Sequence, residues 1–163
     1  MTQPKLLFDE CIGKPHVQCL TDLASFEVDD DRPEIIHILD FQDQGIGDEE
    51  WIPRMADGGW ILATGDRGRR QRGKGEPLPR VCVREGVTHV ILSAAVQRRK
   101  LFAKMLTVLS VWYELMTLQN EPAGSRFVVY PKGSEPEDRG KGILRKKTVP
   151  PDSLPPPGRL FPT

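Results

Sequence analysis

The stretch GWILATGDRGRRQRGKG, residues 59–75, joins an apolar run to one acidic residue and then to a cationic, glycine-rich segment. Residues 60–64 form a short apolar run of the length that predicts a buried strand. Asp66 follows this run closely. The cations beyond it are Arg67, Arg69, Arg70, Arg72 and Lys74. The stretch therefore predicts a strand whose end presents a carboxylate beside concentrated positive charge.

Similar apolar runs alternate with helical patterns along most of the chain. Strands are predicted at residues 5–8, 34–39, 60–64, 88–93 and 126–130. Helices are predicted at residues 15–26, from residue 48, at 79–85 and at 97–120. The alternation is typical of a mostly parallel sheet covered by helices on both faces, an α/β fold. The longest helix has an apolar face predicted to lie in the core: Leu101, Phe102, Met105, Leu106, Leu109, Trp112, Leu115 and Met116.

The composition changes at residue 131, so we predict one domain at residues 1–130 and a tail at 131–163. Eight of the fifteen prolines lie in the tail, which has few large apolar side chains. Such a segment buries too little surface to offset its ordering entropy, so it is predicted to be disordered. Its middle is basic, and a solvated extension is favoured over a dedicated binding segment.

Global composition excludes several classes of protein. The 23 basic residues balance 23 acidic ones, so net charge predicts no partner and only local charge can indicate one. No apolar run is long enough for a membrane span, and residues 1–20 lack a signal-peptide pattern. The three cysteines lack CxxC spacing, which indicates reduced thiols in a cytoplasmic protein and argues against zinc.

Three acidic residues are predicted to lie at one edge of the sheet. Asp9 ends the first strand, Asp48 starts the helix after the second, and Asp66 follows the third. The carboxyl ends of parallel strands share an edge, so these carboxylates are expected to converge and bind Mg²⁺ or Mn²⁺. Glu10 and Glu49 are second-tier ligand candidates. Each acid has an alternative interpretation as a turn or helix-capping residue.

The cations beside the acids are candidates for contacting nucleic acid. Arg67, Arg69, Arg70, Arg72 and Lys74 lie next to the predicted cation site, and Arg98 and Arg99 start the long helix. Such groups bind backbone phosphates, although a solvated surface explains them equally well. The histidines are given structural roles: His37 and His89 as hydrogen-bonded groups in strands, and His16 at the surface.

The segments LLFDECIGKP (residues 6–15) and GDEEWIPRMADGGWILATGDRG (residues 47–68) resemble the PIN-like domain superfamily, in its branch related to VapC-type toxins. The resemblance spans about residues 5–130 and aligns Asp9, Asp48 and Asp66 with that family's acids. It implies a three-layer α/β/α fold, a Mg²⁺- or Mn²⁺-dependent ribonuclease, an antitoxin partner and a homodimer. Family members also have a glutamate on an intervening helix, and residues 13–26 contain none.

The predicted function is therefore metal-dependent hydrolysis of RNA, as the toxin of a toxin–antitoxin pair. Two alternatives remain open. One is a non-catalytic PIN-like module that binds nucleic acid or protein, which the missing helical glutamate favours. The other is a receiver-like signalling domain that uses Asp9 and Asp66 for Mg²⁺ and phosphoryl transfer, with Lys132 after its last strand.

Overall fold

The computed structural model describes residues 3–27, 32–41, 46–65, 76–133 and 140–148. Its six strands are β1 (Lys5–Phe8), β2 (Glu34–His37), β3 (Ile61–Thr64), β4 (Thr88–Leu92), β5 (Arg126–Pro131) and β6 (Gly142–Lys147). They form one sheet in the order β2-β1-β3-β4-β5-β6. β1 to β5 are parallel and β6 is antiparallel. The predicted α/β fold with a mostly parallel sheet is confirmed.

Within these described ranges, seven α-helices connect or flank the strands. They are α1 (Lys14–Ala24), α2 (Ile38–Phe41), α3 (Asp48–Asp57), α4 (Leu78–Glu85), α5 (Ala94–Gln97), α6 (Leu101–Leu109) and α7 (Trp112–Thr117), and a 3₁₀ turn follows at Leu118–Asn120. α4 ends at Gly86, whose φ of 75° is left-handed, a backbone conformation that favours glycine at a helix end. The first turn of α3 has three acids, Asp48, Glu49 and Glu50, which the helix dipole stabilises.

Two hydrophobic clusters lie on opposite faces of the sheet. Leu6 and Phe8 of β1 pack with α1, α6 and α7, whereas Leu7 packs with α3 and α4. Successive side chains of a strand point to opposite faces, so one four-residue strand contributes to both clusters. The sheet is therefore the middle of three layers.

The second strand is shorter than predicted because His37 ends it. Nε2 of His37 donates to the Ile12 carbonyl at 3.0 Å, and Nδ1 accepts from the Leu39 amide at 3.2 Å. These two bonds hold the ring in one orientation and stabilise the turn from β2 into α2. The prediction that His37 is a satisfied structural histidine is confirmed.

The predicted continuous helix at residues 97–120 is wrong. Its two long pieces, residues 101–109 and 112–120, meet at an angle of 54°. At the break, Ser110 Oγ donates to the Thr107 carbonyl at 2.8 Å and accepts from the Gly142 amide at 2.7 Å. A Cβ at Gly142 would lie 2.8 Å from the Thr107 carbonyl oxygen, so glycine permits this close approach. This contact joins residues that are distant in sequence. Helical periodicity describes only local spacing, so it does not predict the break.

The break also changes which side chains enter the core. Met105, Trp112 and Leu115 are buried as predicted, and Leu109 and Met116 pack partly against the core. Leu101, Phe102 and Leu106 are exposed by 53%, 75% and 39%, so their assignment to the core is wrong. The prediction assumed one straight helix of 24 residues. Because the chain bends in the middle, the two pieces turn different side chains toward the core.

β6 lies within the segment predicted to be a disordered tail. It pairs antiparallel with β5 from Arg126↔Lys147 to Pro131↔Gly142. Lys146 lies 5.8 Å from the centre of the Phe127 ring and donates to Glu121 at 2.6 Å. The tail prediction is therefore wrong for residues 142–147, because an edge strand gains backbone hydrogen bonds without a large apolar surface. Residues 149–163 lie outside the described part of the chain.

Within the described ranges, no single helix is long and apolar enough to cross a membrane. The bent pair formed by residues 101–109 and 112–120 meets the length and hydropathy criteria only when both pieces are taken together. Trp112 and Leu115, from this pair, are buried against the sheet.

Candidate functional site

The topological switch point of the sheet lies between β1 and β3. From β1 the chain passes to β2 on one side, and β3 to β5 then follow on the other. In open parallel sheets, ligands bind outside the carboxyl ends of the strands at this point. The residues that leave β1 and β3 here are Asp9 and Gly65.

Asp9 is held across the switch point by bonds to both strands. Its amide donates to the Ala63 carbonyl at 3.0 Å. One carboxylate oxygen, Oδ1, accepts from the Glu10 amide at 2.7 Å. The other, Oδ2, accepts from the Thr64 hydroxyl at 2.8 Å. Thr64 is fully buried at the end of β3, so its hydroxyl is a fixed donor that sets the orientation of the partly exposed carboxylate.

Cys11 completes this arrangement, and the sequence interpretation did not identify it as a site residue. Its thiol donates to Asp9 Oδ2 at 3.4 Å, lies 3.3 Å from Thr64 Oγ1, and accepts from the Gly65 amide at 2.8 Å. Burial of the sulfur and the adjacent Asp9 carboxylate raise the pKa of the Cys11 thiol. The group is therefore a neutral thiol that bridges the exits of β1 and β3. The sequence feature that could have identified Cys11 as a site residue is its position two residues after Asp9.

Asp48 lies in the first turn of α3. It is half-buried and accepts from the Trp51 indole at 3.2 Å. Burial raises the pKa of Cys82, and the negative charges of Asp48 and, to a smaller extent, Asp9 raise it further. The start of α3, where Asp48 lies, packs with α4, which contains Cys82.

The second-tier glutamates differ from each other in their contacts. Glu10 is exposed and contributes its backbone amide to Asp9. Glu49 uses Oε1 to accept from the Glu76 amide at 2.9 Å. Glu76 also pairs with the guanidinium of Arg84. Glu49 therefore connects the start of α3 to the segment that leads into α4.

The third acid and the cationic loop lie outside the described residues. These predicted residues are Asp66, Arg67, Arg69, Arg70, Arg72 and Lys74. The residues that flank them are described: the Gly65 amide is bound by Cys11, and the Glu76 amide by Glu49. Across the described part of the chain, no group of three or more His, Cys, Asp or Glu side chains is arranged to hold a metal ion.

Arg98 and Arg99 lie in the turn between α5 and α6, not in the first turn of a long helix. Arg98 is exposed. Arg99 donates to the Thr107 hydroxyl and, at 3.2 Å, to the Lys141 carbonyl. Its guanidinium thus joins α6 to the chain entering β6.

A further acid at this edge, Asp40 after β2, was not predicted as a site residue. Its carboxylate accepts from Lys14 at 2.6 Å, and this hydrogen bond lowers the pKa of Asp40. Both side chains are well exposed. The partner at the start of α1 distinguishes Asp40 from Asp9, whose carboxylate contacts neutral donors.

His89 is buried, but the prediction that its hydrogen bonds are satisfied is wrong. Neither ring nitrogen has a hydrogen-bond partner among the described residues. Burial, reinforced by Arg126, lowers the pKa of His89 to about 3. The residue lies near the start of β4, away from the carboxyl edge, so it is not part of the candidate site.

The donors at the switch point fit a hard divalent cation. Carboxylate oxygens from Asp9 and Asp48 and the hydroxyl of Thr64 are the oxygen ligands that Mg²⁺ and Mn²⁺ prefer. Asp66, two residues beyond Thr64 in sequence, lies outside the described residues.

Comparison with known families identifies the chain. A family model described as a PIN like domain matches residues 4–91, more than half of the 163 residues. Comparison with curated proteins and with solved structures gave no significant match. The matched range includes β1 to β3 and all three candidate acids, and it ends before β5. The chain belongs to the PIN-like domain family.

Proposed function

We propose that the protein is a Mg²⁺- or Mn²⁺-dependent ribonuclease whose active site is the switch point between β1 and β3. The observation that supports this best is the Thr64–Asp9 hydrogen bond of 2.8 Å, which fixes a carboxylate at the edge where this topology binds ligands. Members of the PIN-like superfamily are typically metal-dependent nucleases, which agrees with the chemistry of these donors.

Asp9, Asp48 and Asp66 would hold the cation. When bound, a divalent cation activates water and offsets negative charge on the phosphate. Thr64 donates to Asp9 Oδ2 and restricts the carboxylate to one orientation. Cys11 restrains the Gly65 amide and therefore the backbone immediately before Asp66. The protein's contribution is a set of oxygens oriented before substrate binds.

The cations of residues 67–74, together with Arg98, would position RNA beside these acids. Backbone phosphates are recognised by basic side chains without regard to sequence. A role as the toxin of a toxin–antitoxin pair, with an antitoxin protein covering the site, and a homodimer extend this proposal. They rest on the resemblance to toxin-related PIN-like proteins, whereas the family match supports membership of the PIN-like domain family alone.

The proposal is tested by RNA cleavage with Mn²⁺, with EDTA, and with the Asp9→Asn variant. We expect cleavage only with metal, and a loss of at least about 100-fold in the variant, because one charged ligand is removed. Asp57→Asn is the matched control, since Asp57 is an exposed acid at the opposite end of α3. Equal cleavage by wild type and Asp9→Asn would refute the proposal.

A non-catalytic binding module is the second candidate. It is favoured by the lack of a glutamate in α1 and by the absence of a three-residue ligand group among the described residues. RNA binding without detectable Mn²⁺ binding would identify it. The receiver-like alternative has the same 2-1-3-4-5 order of parallel strands, so topology does not separate the two folds. The family match favours the PIN-like assignment.

A further inference from the structure

A polar cluster lies beside the switch point, on the face covered by α1 and α6. We call it the Lys104 cluster, and it consists of His16 from α1, Gln97 from α5 and Lys104 from α6. A Cβ added at Gly65 would lie 2.2 Å from Gln97 Nε2, so the amide of Gln97 rests directly on the backbone that leaves β3. The cluster therefore borders the candidate active site.

The Lys104 cluster has more hydrogen-bond donors than acceptors. Lys104 Nζ donates to Gln97 Oε1 at 3.3 Å, which uses one of the two lone pairs of that amide oxygen. Gln97 Nε2 is buried and has no hydrogen-bond partner in the described ranges. The Lys104 ammonium has three donors, of which the bond to Gln97 uses one.

His16 adds a third polar side chain with no assigned role. Both of its ring nitrogens are buried, and the Gly13 backbone lies within hydrogen-bonding reach of the ring. α1 and α6, which contain His16 and Lys104, pack against each other, and burial and the positive charge of Lys104 lower the pKa of His16. His16 is partly exposed, in agreement with the predicted surface position, although its ring nitrogens are buried.

The chemistry of the cluster matches an anion. A cation, an amide NH₂ and an imidazole N–H are all donors, and phosphate oxygens accept several such bonds at once. Gly65 has no side chain, and the end of the Gln97 side chain occupies the space where a Cβ would lie. Arg99, the cation expected here from sequence, is bound to Thr107 and Lys141 instead.

We propose that His16, Gln97 and Lys104 form a subsite for one backbone phosphate of the nucleic acid, next to the phosphate that is cleaved. This inference rests on the proposed function, because it assigns the adjacent phosphate to a substrate bound at Asp9. Lys104 supplies the charge, and Gln97 directs its amide over Gly65.

The test is the affinity for a fluorescent single-stranded RNA oligonucleotide, measured by anisotropy in EDTA so that no cleavage occurs. We expect Lys104→Gln to weaken binding about tenfold and to lower the dependence on salt by about one phosphate contact. Lys100→Gln is the matched control, because Lys100 is an exposed lysine one helical turn away. It should weaken binding less than about twofold.

Two further variants separate the subsite from folding. Lys104→Arg keeps the charge and should retain RNA binding within about threefold. Gln97→Leu removes the amide donors at similar volume and should weaken binding, whereas its thermal midpoint should stay near that of wild type. Equal effects of Lys104→Gln and Lys100→Gln, or no RNA binding by the wild type, would overturn the subsite.

The binding measurement tests the subsite separately from the nuclease proposal, because it is made without cleavage. If the wild type does not cleave RNA with Mn²⁺ but Lys104→Gln still weakens binding selectively, the phosphate-binding role of the cluster stands, whereas the nuclease proposal and the position next to a cleaved phosphate fail. If Asp9→Asn abolishes cleavage but Lys104→Gln binds RNA like the wild type, the nuclease proposal stands and the subsite fails.

Discussion

The switch point between β1 and β3 and the junction between α6 and β6 each contain a fully buried threonine with a different partner. Thr64 donates to the partly exposed Asp9 carboxylate. Thr107 donates to the Ala103 carbonyl and accepts from Arg99. At the junction the polar groups satisfy one another, whereas at the switch point they orient a charged group that faces the ligand edge. The comparison teaches that the bonding partner, rather than the charge itself, separates a functional group from a structural one.

Replacing each threonine by valine should separate the two regions, and we expect the largest effect at the switch point. Thr64→Val removes the donor that orients Asp9, so RNA cleavage should fall about 10- to 100-fold. Thr107→Val should leave cleavage unchanged and lower the free energy of unfolding by about 1–3 kcal/mol, because Arg99 loses a hydrogen-bond acceptor. Cleavage rates and urea unfolding of both variants provide the measurement. If Thr107→Val lost cleavage while Thr64→Val retained it, the distinction between the two regions would be contradicted.

His89 tests what a buried polar group costs when it belongs to neither region. Its pKa is lowered to about 3 in the folded protein, against about 6.5 unfolded, so the unfolded state binds the proton first as pH falls. Stability is therefore unaffected above pH 6.5 and decreases as pH falls toward 3. Between pH 7 and pH 5 the wild type should lose about 2 kcal/mol more than His89→Leu. The free energies of unfolding are measured in urea at both pH values. An equal loss of stability in the wild type and His89→Leu would contradict this prediction.

Gly142 at the junction and Gly65 at the switch point differ in the atoms that an added side chain would meet. A Cβ at Gly142 would lie 2.8 Å from the Thr107 carbonyl oxygen, which is backbone and yields little. A Cβ at Gly65 would meet the end of the Gln97 side chain, which can rotate away. Gly142→Ala should cost about 1–3 kcal/mol of stability and leave RNA binding unchanged. Gly65→Ala should cost less stability and weaken RNA binding, as measured by thermal unfolding and anisotropy.

The smallest effect is expected at Asp40, an acid on the same edge as Asp9. It already has a cationic partner, since Lys14 donates to it at 2.6 Å. Asp40→Asn should therefore change RNA cleavage by less than about twofold, because an exposed ion pair contributes little. A loss as large as that of Asp9→Asn would show that the site extends across β2.

The sequence predicts the backbone frame of the site because that frame depends on local patterns. Apolar runs identify the strands, and parallel topology places Asp9 at their carboxyl edge. Lys104 and Gln97 were not predicted as site residues, because their position over Gly65 depends on how α5 and α6 pack. β6 was missed because its stability comes from backbone pairing with β5, which composition does not reveal. The break after Leu109 likewise depends on Gly142, a distant contact.

The most direct test of the central claim is Mn²⁺ binding to the switch point, measured by calorimetry on the wild type, Asp9→Asn and Asp57→Asn. The account predicts that the wild type and Asp57→Asn bind Mn²⁺ with similar affinity, and that Asp9→Asn binds at least about tenfold more weakly because a charged ligand is lost. Equal Mn²⁺ affinity in all three proteins would contradict the assignment of Asp9 as a metal ligand.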